Sequence, residues 1–175
     1  MPFAPIEEAV AAMAAGNVVV VVDDASRENE GDLVVAAESA TPETIAFFLN
    51  HTSGVICMPM VGERLDLLDL PPMVIDNTES NRTAFTVSVD GRHGTTTGIS
   101  AADRAATIAA LIDPVTRPHD LARPGRLSPP PPRQREALNR ARHPTAPPDL
   151  ARPPASRTSG RARTPAARPR PRTAP

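Results

Sequence analysis

The sequence has no lysine, tryptophan or tyrosine, and Cys57 is its single cysteine. One cysteine excludes an internal disulfide and any metal site made of several cysteines, and the apolar neighbours in GVICMPM predict a core position for it. No stretch approaches the roughly 20 apolar residues of a membrane span. The N-terminus is acidic and lacks the basic and apolar regions of a signal peptide. These absences predict a soluble, cytoplasmic protein with no membrane partner.

The charge divides the chain into two unlike parts. Residues 1–125 hold seven arginines and eighteen acidic residues, a net charge of −11, whereas residues 126–175 hold twelve arginines and two acidic residues, a net charge of +10. The second part also holds thirteen of the 22 prolines. This composition is typical of disorder. A basic tail can bind nucleic acid through counterion release, but it has no aromatic residue for base stacking, so nucleic acid is not an expected partner.

Four segments of the first part carry strand signals. NVVVVVDD is a continuous apolar run and predicts a strand buried on both faces. DLVVAAE and GVICMPM are two further predicted strands. TAFTVSVD alternates, which predicts one apolar and one polar face. The apolar face would hold Phe85, Val87 and Val89, and the polar face Thr86, Ser88 and Asp90.

Four helices are predicted from the signals at their ends. One begins at Pro5, and another follows Thr41 and Pro42, a good pair for the N-cap and first helical positions. A short helix over GERLDLLDL is stopped by two prolines. Ser100 caps the fourth helix, with Asp103 at the capping-box position. Strands and helices mixed in this way predict a single α+β or α/β domain.

An acidic segment, VVVVVDDASRENEGD, follows the first strand at residues 18–32. In an extended segment Glu28, Glu30 and Asp32 point the same way, so their charges repel unless a cation lies among them. Mg²⁺ prefers such oxygen ligands, and Arg27 offers a planar fork for a phosphate or a pair of hydroxyls. The alternative is an acidic surface turn. An EF-hand loop is excluded because the glycine of this segment stands one place earlier than the glycine of that loop.

A second candidate is the turn GTTTGIS, residues 94–100, which leads into a helix. Hydroxyls and glycines before a helix N-terminus favour anion binding. The alternative is an ordinary turn with a capping serine. His93 is predicted to be a solvated loop residue, and HTSG, residues 51–54, fits either a helix end or an active-site loop.

Five stretches, in this order, resemble the 3,4-dihydroxy-2-butanone-4-phosphate synthases: SRENEGDLVVAAE, HTSGVICMPMVGERLDLLDLPPMV, TAFTVSVD, GTTTGISAADRAATI and DLARPG. The resemblance covers residues 1–125 almost continuously. It implies an α+β fold with a single mixed-sheet domain, a homodimer with active sites at the interface, and a requirement for Mg²⁺ or Mn²⁺. It also implies a lyase reaction of riboflavin biosynthesis, in which ribulose 5-phosphate yields 3,4-dihydroxy-2-butanone 4-phosphate and formate.

The resemblance also implies site residues. Arg27, Glu28 and Asp32 would contact the sugar phosphate, Glu28 and Asp32 would be catalytic, and Glu28 would bind the metal. His143 falls on the family's second metal-ligand position, within a segment that contacts substrate. That segment consists of Arg140, Ala141, Arg142, His143 and Pro144.

After Gly125 the chain departs from the family at positions that matter for catalysis. Arg126 stands where the family has a histidine, and Thr164 stands where it has a glutamate. The glycine and threonine that flank the metal histidine are replaced by Arg142 and Pro144. We therefore expect residues 1–125 to form the folded core and residues 126–175 to be a degenerate, disordered or disrupted continuation of the same domain.

A dozen positions beyond residue 125 still agree with the family in register, which argues against a single frameshift. Three alternatives remain: a gene copy that is losing its function, base errors scattered along the nucleotide sequence, and a basic tail with a function of its own. With both proton-handling groups replaced, turnover should be negligible. The chain would then be a remnant that binds sugar phosphate and Mg²⁺, or an interaction protein that uses its arginine-rich tail.

Overall fold

The computed structural model describes residues 3–23, 30–79 and 83–131, and the backbone of residues 161–165. The helices are α1 (Ile6–Ala14), α2 (Pro42–His51), α3 (Gly62–Leu67) and α4 (Ala101–Ile112). The strands are β1 (Val19–Val22), β2 (Gly31–Ala36), β3 (Val89–Gly91), β4 (Leu121–Leu127) and β5 (Arg161–Pro165). This mixture confirms the predicted α+β class. Over the described ranges, no helix has the length and apolar character needed to cross a membrane.

The strands form two small antiparallel sheets. One has the order β1-β2-β5, with β2 in the centre, and the other pairs β3 with β4. The prediction that the valine run is buried on both faces is wrong: Val20 is 63% exposed, and β1 alternates between partly buried and exposed residues. An antiparallel sheet commonly has one face in solvent, and a run of identical valines hides the resulting alternation.

The segment GVICMPM pairs with the chain that follows β4. Met58 N donates to Ser128 O at 3.1 Å and Ser128 N donates to Ile56 O at 3.2 Å, which is a parallel bridge. Ile56, Met58 and Met60 are buried, whereas Cys57 is only half-buried, because alternate residues of an extended chain point to opposite sides. The predicted core position of Cys57 is therefore wrong.

The same pairing places the start of the basic segment in the core. Leu127 is fully buried and Ser128 is buried, and Met60 N donates to Pro130 O at 3.1 Å. Residues 127–130 of the basic segment therefore belong to the folded part of the chain. β5, also within that segment, pairs with β2 along its whole length.

The strand predicted at 83–90 changes face at Thr86. Phe85 is 36% exposed and Thr86 is buried, the reverse of the predicted faces. Val87 N donates to Pro71 O at 3.0 Å, and the Thr86 hydroxyl donates to the carbonyl of Pro129. Thr86 is drawn inwards because its hydroxyl satisfies a carbonyl there, and Phe85 is turned outwards.

The hydrophobic core lies between the helices and these strands. α2 contributes Ile45 and Phe48, and α4 contributes Ile108 and Leu111. Both helices begin as the sequence predicts. The Thr41 hydroxyl accepts from Thr44 N at 3.2 Å, and Ser100 Oγ accepts from Asp103 N at 3.0 Å, so each cap satisfies an otherwise unpaired amide.

A close approach of two backbones shapes the β3–β4 pair. Val89 pairs with Leu127 but Asp90 pairs with Ala122, so residues 123–126 bulge out of the ladder. Within the bulge, a Cβ atom on Gly125 would lie 2.0 Å from the carbonyl carbon of Val89 and 2.2 Å from Asp90 N. Only glycine fits there, because backbone atoms of a paired strand have no room to retreat.

Replacing Gly125 with alanine should therefore destabilise the fold. We expect a loss of about 3 kcal/mol in the free energy of unfolding, since the added methyl must push two paired strands apart. Gly62→Ala is the matched control: a Cβ there meets nothing within 4 Å, and alanine in a helix gains up to about 1 kcal/mol over glycine. Urea unfolding of both variants, followed by circular dichroism, provides the measurement. Equal stabilities would contradict the role of this contact.

Candidate functional site

The acidic segment lies at one end of the β1–β2 hairpin. Val22 pairs with Gly31, and beyond them Glu30 N donates to Asp23 Oδ1 at 2.8 Å while Asp23 N donates to Glu30 O at 3.2 Å. The two strands are therefore closed by their own acidic residues. Residues 24–29 join them, and the predicted site residues Arg27 and Glu28 fall in this joint, outside the described residues.

Among the described carboxylates of the predicted site, Asp32 is the buried one. It is the second residue of β2, only 1% exposed, and lies opposite Val21 on one side and Pro165 on the other. A buried carboxylate is costly unless it is hydrogen-bonded or bound to a cation. Its burial near the start of a central strand thus favours a functional role over an acidic surface turn.

Thr164, the position where the family resemblance implies a glutamate, comes close to Asp32 in the sheet. On β5 the backbone of Thr164 is paired with Leu33, one residue along from the pair formed by Asp32 and Pro165. The predicted substrate segment, Arg140 to Pro144 with the metal ligand His143, lies outside the described residues.

The donor atoms at the hairpin end are those that Mg²⁺ prefers. Asp23, Glu30 and Asp32 supply carboxylate oxygens there, and hard divalent cations bind oxygen. Within residues 3–23, 30–79 and 83–131, no three His, Cys, Asp or Glu side chains are grouped as a metal site. The described donors thus fit the ion in kind, and the two predicted ligands, Glu28 and His143, lie outside the described residues.

The hydroxyl-rich turn at 94–100 already contains an anion of its own. The Asp103 carboxylate accepts from Thr96 N at 3.1 Å, from the Thr96 hydroxyl at 2.9 Å and from Gly98 N at 3.0 Å. These amides are the donors that an external anion would need. At Thr96 and Gly98 the ordinary alternative, a turn held by a capped helix, therefore accounts for the pattern.

The hydrogen bonds in this turn stabilise the charged form of Asp103. Burial acts to raise the pKa of its carboxyl, but the donors from Thr96 and Gly98, with the hydroxyl of Ser100, outweigh burial and hold the pKa below its ordinary value. Asp103 is consequently an ionised anchor for the turn.

Arg126 occupies the bulge between β3 and β4, and two side chains hold its backbone there. Asp90 Oδ1 accepts from Arg126 N at 2.8 Å, and Ser88 Oγ accepts from Gly125 N at 3.2 Å. The side chain of Arg126 is exposed. The alternation of TAFTVSVD placed Ser88 and Asp90 on a polar face, but no signal in the sequence reveals that their partners lie more than thirty residues away.

The histidines have modest roles in the described structure. His93 is 80% exposed, which confirms the predicted solvated loop residue, and its Nε2 lies 3.3 Å from Asp120 Oδ1. The Arg117 amide and the neighbouring His119 and His93 keep the pKa of Asp120 below its ordinary value, against the opposing effect of burial. His51 is the last residue of α2, so HTSG begins as a helix end.

Comparisons with known proteins agree on one family. The model of the family described as 3,4-dihydroxy-2-butanone 4-phosphate synthase matches residues 7–160, and so extends past Gly125 into the basic segment. The synthase of that name from Agrobacterium fabrum is 54% identical over 152 residues, 87% of this chain and 71% of its own length. The riboflavin biosynthesis protein RibBA of Salinispora arenicola is 56% identical over 86% of this chain, and this chain spans 36% of it.

Solved structures give the same result. A crystal structure of 3,4-dihydroxy-2-butanone 4-phosphate synthase in complex with two magnesium ions is similar, with a TM-score of 0.86 and 41% identity. The matched region covers 94% of this chain and 76% of the chain in that crystal structure. The cation-free form of a synthase of that name has a TM-score of 0.82 and 40% identity.

The pKa of Asp103 predicts how the stability of the turn depends on pH. Because the folded pKa is lowered, ionised Asp103 stabilises the fold above the ordinary aspartate pKa of about 3.9, and this contribution is lost as the pH falls through the folded pKa. The difference in unfolding free energy between the unmodified chain and Asp103→Asn should therefore be largest near neutral pH and should shrink below about pH 4. Urea titrations at a series of pH values measure it. A difference that is independent of pH would contradict the anchor role.

Proposed function

Because the chain belongs to the 3,4-dihydroxy-2-butanone 4-phosphate synthase family, we propose that its site takes ribulose 5-phosphate together with Mg²⁺ or Mn²⁺. The reaction for which this site is built is conversion to 3,4-dihydroxy-2-butanone 4-phosphate and formate, in riboflavin biosynthesis. The observation that carries the proposal is 54% identity to a synthase over 87% of this chain. The burial of Asp32 near the start of β2 supports the proposal.

The chain's own residues would divide the work of binding. Arg27, Glu28 and Asp32 contact the sugar phosphate, and the segment Arg140 to Pro144 contacts it from a distant part of the sequence. Arg27 pairs with phosphate or hydroxyl oxygens, and buried Asp32 orients a substrate hydroxyl and accepts its proton. Glu28 and His143 hold the divalent ion, which supplies positive charge beside the substrate's oxygens when bound.

Proton transfer is the step that this chain performs poorly. A guanidinium carries only hydrogen-bond donors, so Arg126 offers no proton acceptor, and the hydroxyl of Thr164 is a poor substitute for a carboxylate. A positioned acid or base contributes about 10²–10⁴-fold to a rate. A second candidate function follows from Arg126: a protein that binds the sugar phosphate and the metal with negligible turnover.

The assembly and location follow the family resemblance and the composition. We propose a cytoplasmic homodimer with its sites at the interface between the two copies. The Arg-rich segment then belongs to the same domain as residues 1–125, which is supported by the family match through residue 160 and by the pairing of β5 with β2.

Restoring the family residues should restore turnover. The restored chain carries Arg126→His, Arg142→Gly, Pro144→Thr and Thr164→Glu. We expect the unmodified chain to release almost no formate from ribulose 5-phosphate, and the restored chain to release it at least about 10²-fold faster, because acid–base groups return. A coupled formate assay with the purified chains measures both rates.

The restored chain needs a matched control, and two results would decide against this account. The matched control has Arg126→Gln in place of Arg126→His, which removes the arginine without supplying an acid–base group, so it should stay slow. Turnover of the unmodified chain in the ordinary enzyme range of about 1–10³ s⁻¹ would remove the claim of impaired proton transfer. A restored chain that neither turns over nor binds the sugar phosphate would overturn the proposed function itself.

Binding in the unmodified chain should require the metal. Calorimetric titration with ribulose 5-phosphate should show affinity in the presence of Mg²⁺ that is lost on adding a chelator. Glu28→Gln should weaken Mg²⁺ binding by more than about 10-fold, since even residues that merely support a ligand have effects of that size. Glu63→Gln, an exposed acid in α3, is the control and should bind normally. An affinity for ribulose 5-phosphate that is unchanged by the chelator would exclude a metal-assisted site.

A further inference from the structure

We propose that Asp90 is a positioning residue for this reaction: its carboxylate fixes the backbone at position 126 against the turn at 96–98. This inference rests on the proposed function, because position 126 is where the family has its histidine. Asp90 would contact neither substrate nor metal. It would act through the backbone of the residue that does the proton chemistry.

The bulge between β3 and β4 creates a need for such a residue. Residues 123–126 lie outside the strand ladder, since Asp90 pairs with Ala122 while its neighbour Val89 pairs with Leu127. The amides of Gly125 and Arg126 therefore lack the strand partners that a regular ladder would provide. Ser88 Oγ and Asp90 Oδ1 take their place at 3.2 and 2.8 Å, two residues apart on one face of the strand.

The other oxygen of Asp90 lies against the turn. A Cβ atom on Gly98 would lie 2.0 Å from Asp90 Oδ2 and 2.5 Å from Asp90 Cγ, and the φ of Gly98 is +76°. A glycine at this position thus lets the carboxylate reach the turn backbone, and no other residue could adopt that backbone and leave the space. The carboxylate is held between two segments of backbone.

The turn is also held by a residue of α4. Gly98 N donates to Asp103, which also accepts from Thr96 and lies in the first turn of α4. A chain of contacts therefore runs from α4 through Asp103 and Gly98 to Asp90, and from Asp90 to the amide of residue 126. Each link is a hydrogen bond or a close contact of backbone with a carboxylate.

This geometry distinguishes the hydrogen bond at Asp90 from its charge. Asp90→Ala removes the acceptor of the residue 126 amide, whereas Asp90→Asn keeps an oxygen acceptor and removes the charge. In the restored chain, Asp90→Ala should lower kcat about 10²-fold with little change in KM, because a displacement of about 1 Å at a catalytic group has that effect. Asp90→Asn should retain most of the formate release. Asp66→Ala, an exposed aspartate in α3, is the control and should be unaffected.

Amide hydrogen exchange in the unmodified chain gives a readout that needs no catalysis. Asp90→Ala should speed exchange at the amides of Arg126 and Gly98, although Asp103, the acceptor for Gly98, remains in place. Asp90→Asn should leave both near their original rates. Exchange that is unchanged at Gly98 would show that Asp90 does not couple the turn to the bulge, and would overturn the proposal.

The possible failures are distinguishable. If the restored chain releases no formate, the proposed function has failed, and the exchange rates at Arg126 and Gly98 still decide whether Asp90 couples the two segments. If Asp90→Ala does not fold, the asparagine variant decides: protected amides and retained turnover support positioning. A loss of about 10²-fold in kcat for a folded asparagine variant would overturn it, because the effect would then come from charge.

Discussion

At the junction of β3 and β4 the backbone of Gly125 lies against the carbonyl carbon of Val89, in a space too narrow for a Cβ atom. This contact allows the strand register to shift by several residues within one pair, and the shift creates the bulge at 123–126. The chain then returns to the ladder at Leu127 and continues into the parallel bridge between Ser128 and Cys57. The position of residue 126, and the entry of the basic segment into the core, both depend on it.

The features that the sequence predicted well are those set by near neighbours. The caps at Thr41 and Ser100 are encoded within three residues of the amides that they satisfy, so both helices begin where expected. The features predicted wrongly are set by distant partners. The exposure of Val20 depends on which face of the sheet the core covers, and the inward turn of Thr86 depends on the carbonyl of Pro129.

The same distinction between near neighbours and distant partners applies to the candidate site. The acidic run, together with the family resemblance, predicted a role for Asp32, and the structure buries that residue near the start of β2. Nothing in the sequence around Asp90 announces its bond to Arg126, thirty-six residues away, because the register shift that brings them together is a property of the pair of strands. The same bond explains how an arginine is accommodated there. The fold binds the main chain of residue 126 and leaves its side chain in solvent.

The central place of β2 has a consequence for how the chain is made. β1, its first partner, precedes it in the sequence, but its second partner is β5, and the pair of Ala36 with Arg161 joins residues roughly 125 positions apart. At a synthesis rate of about 5–20 residues per second, β2 leaves the ribosome on the order of ten seconds before β5 exists. Throughout that interval one edge of β2 offers unpaired amides and carbonyls to any neighbouring strand. A partly synthesised chain is therefore open to wrong pairing at β2, the strand that carries buried Asp32.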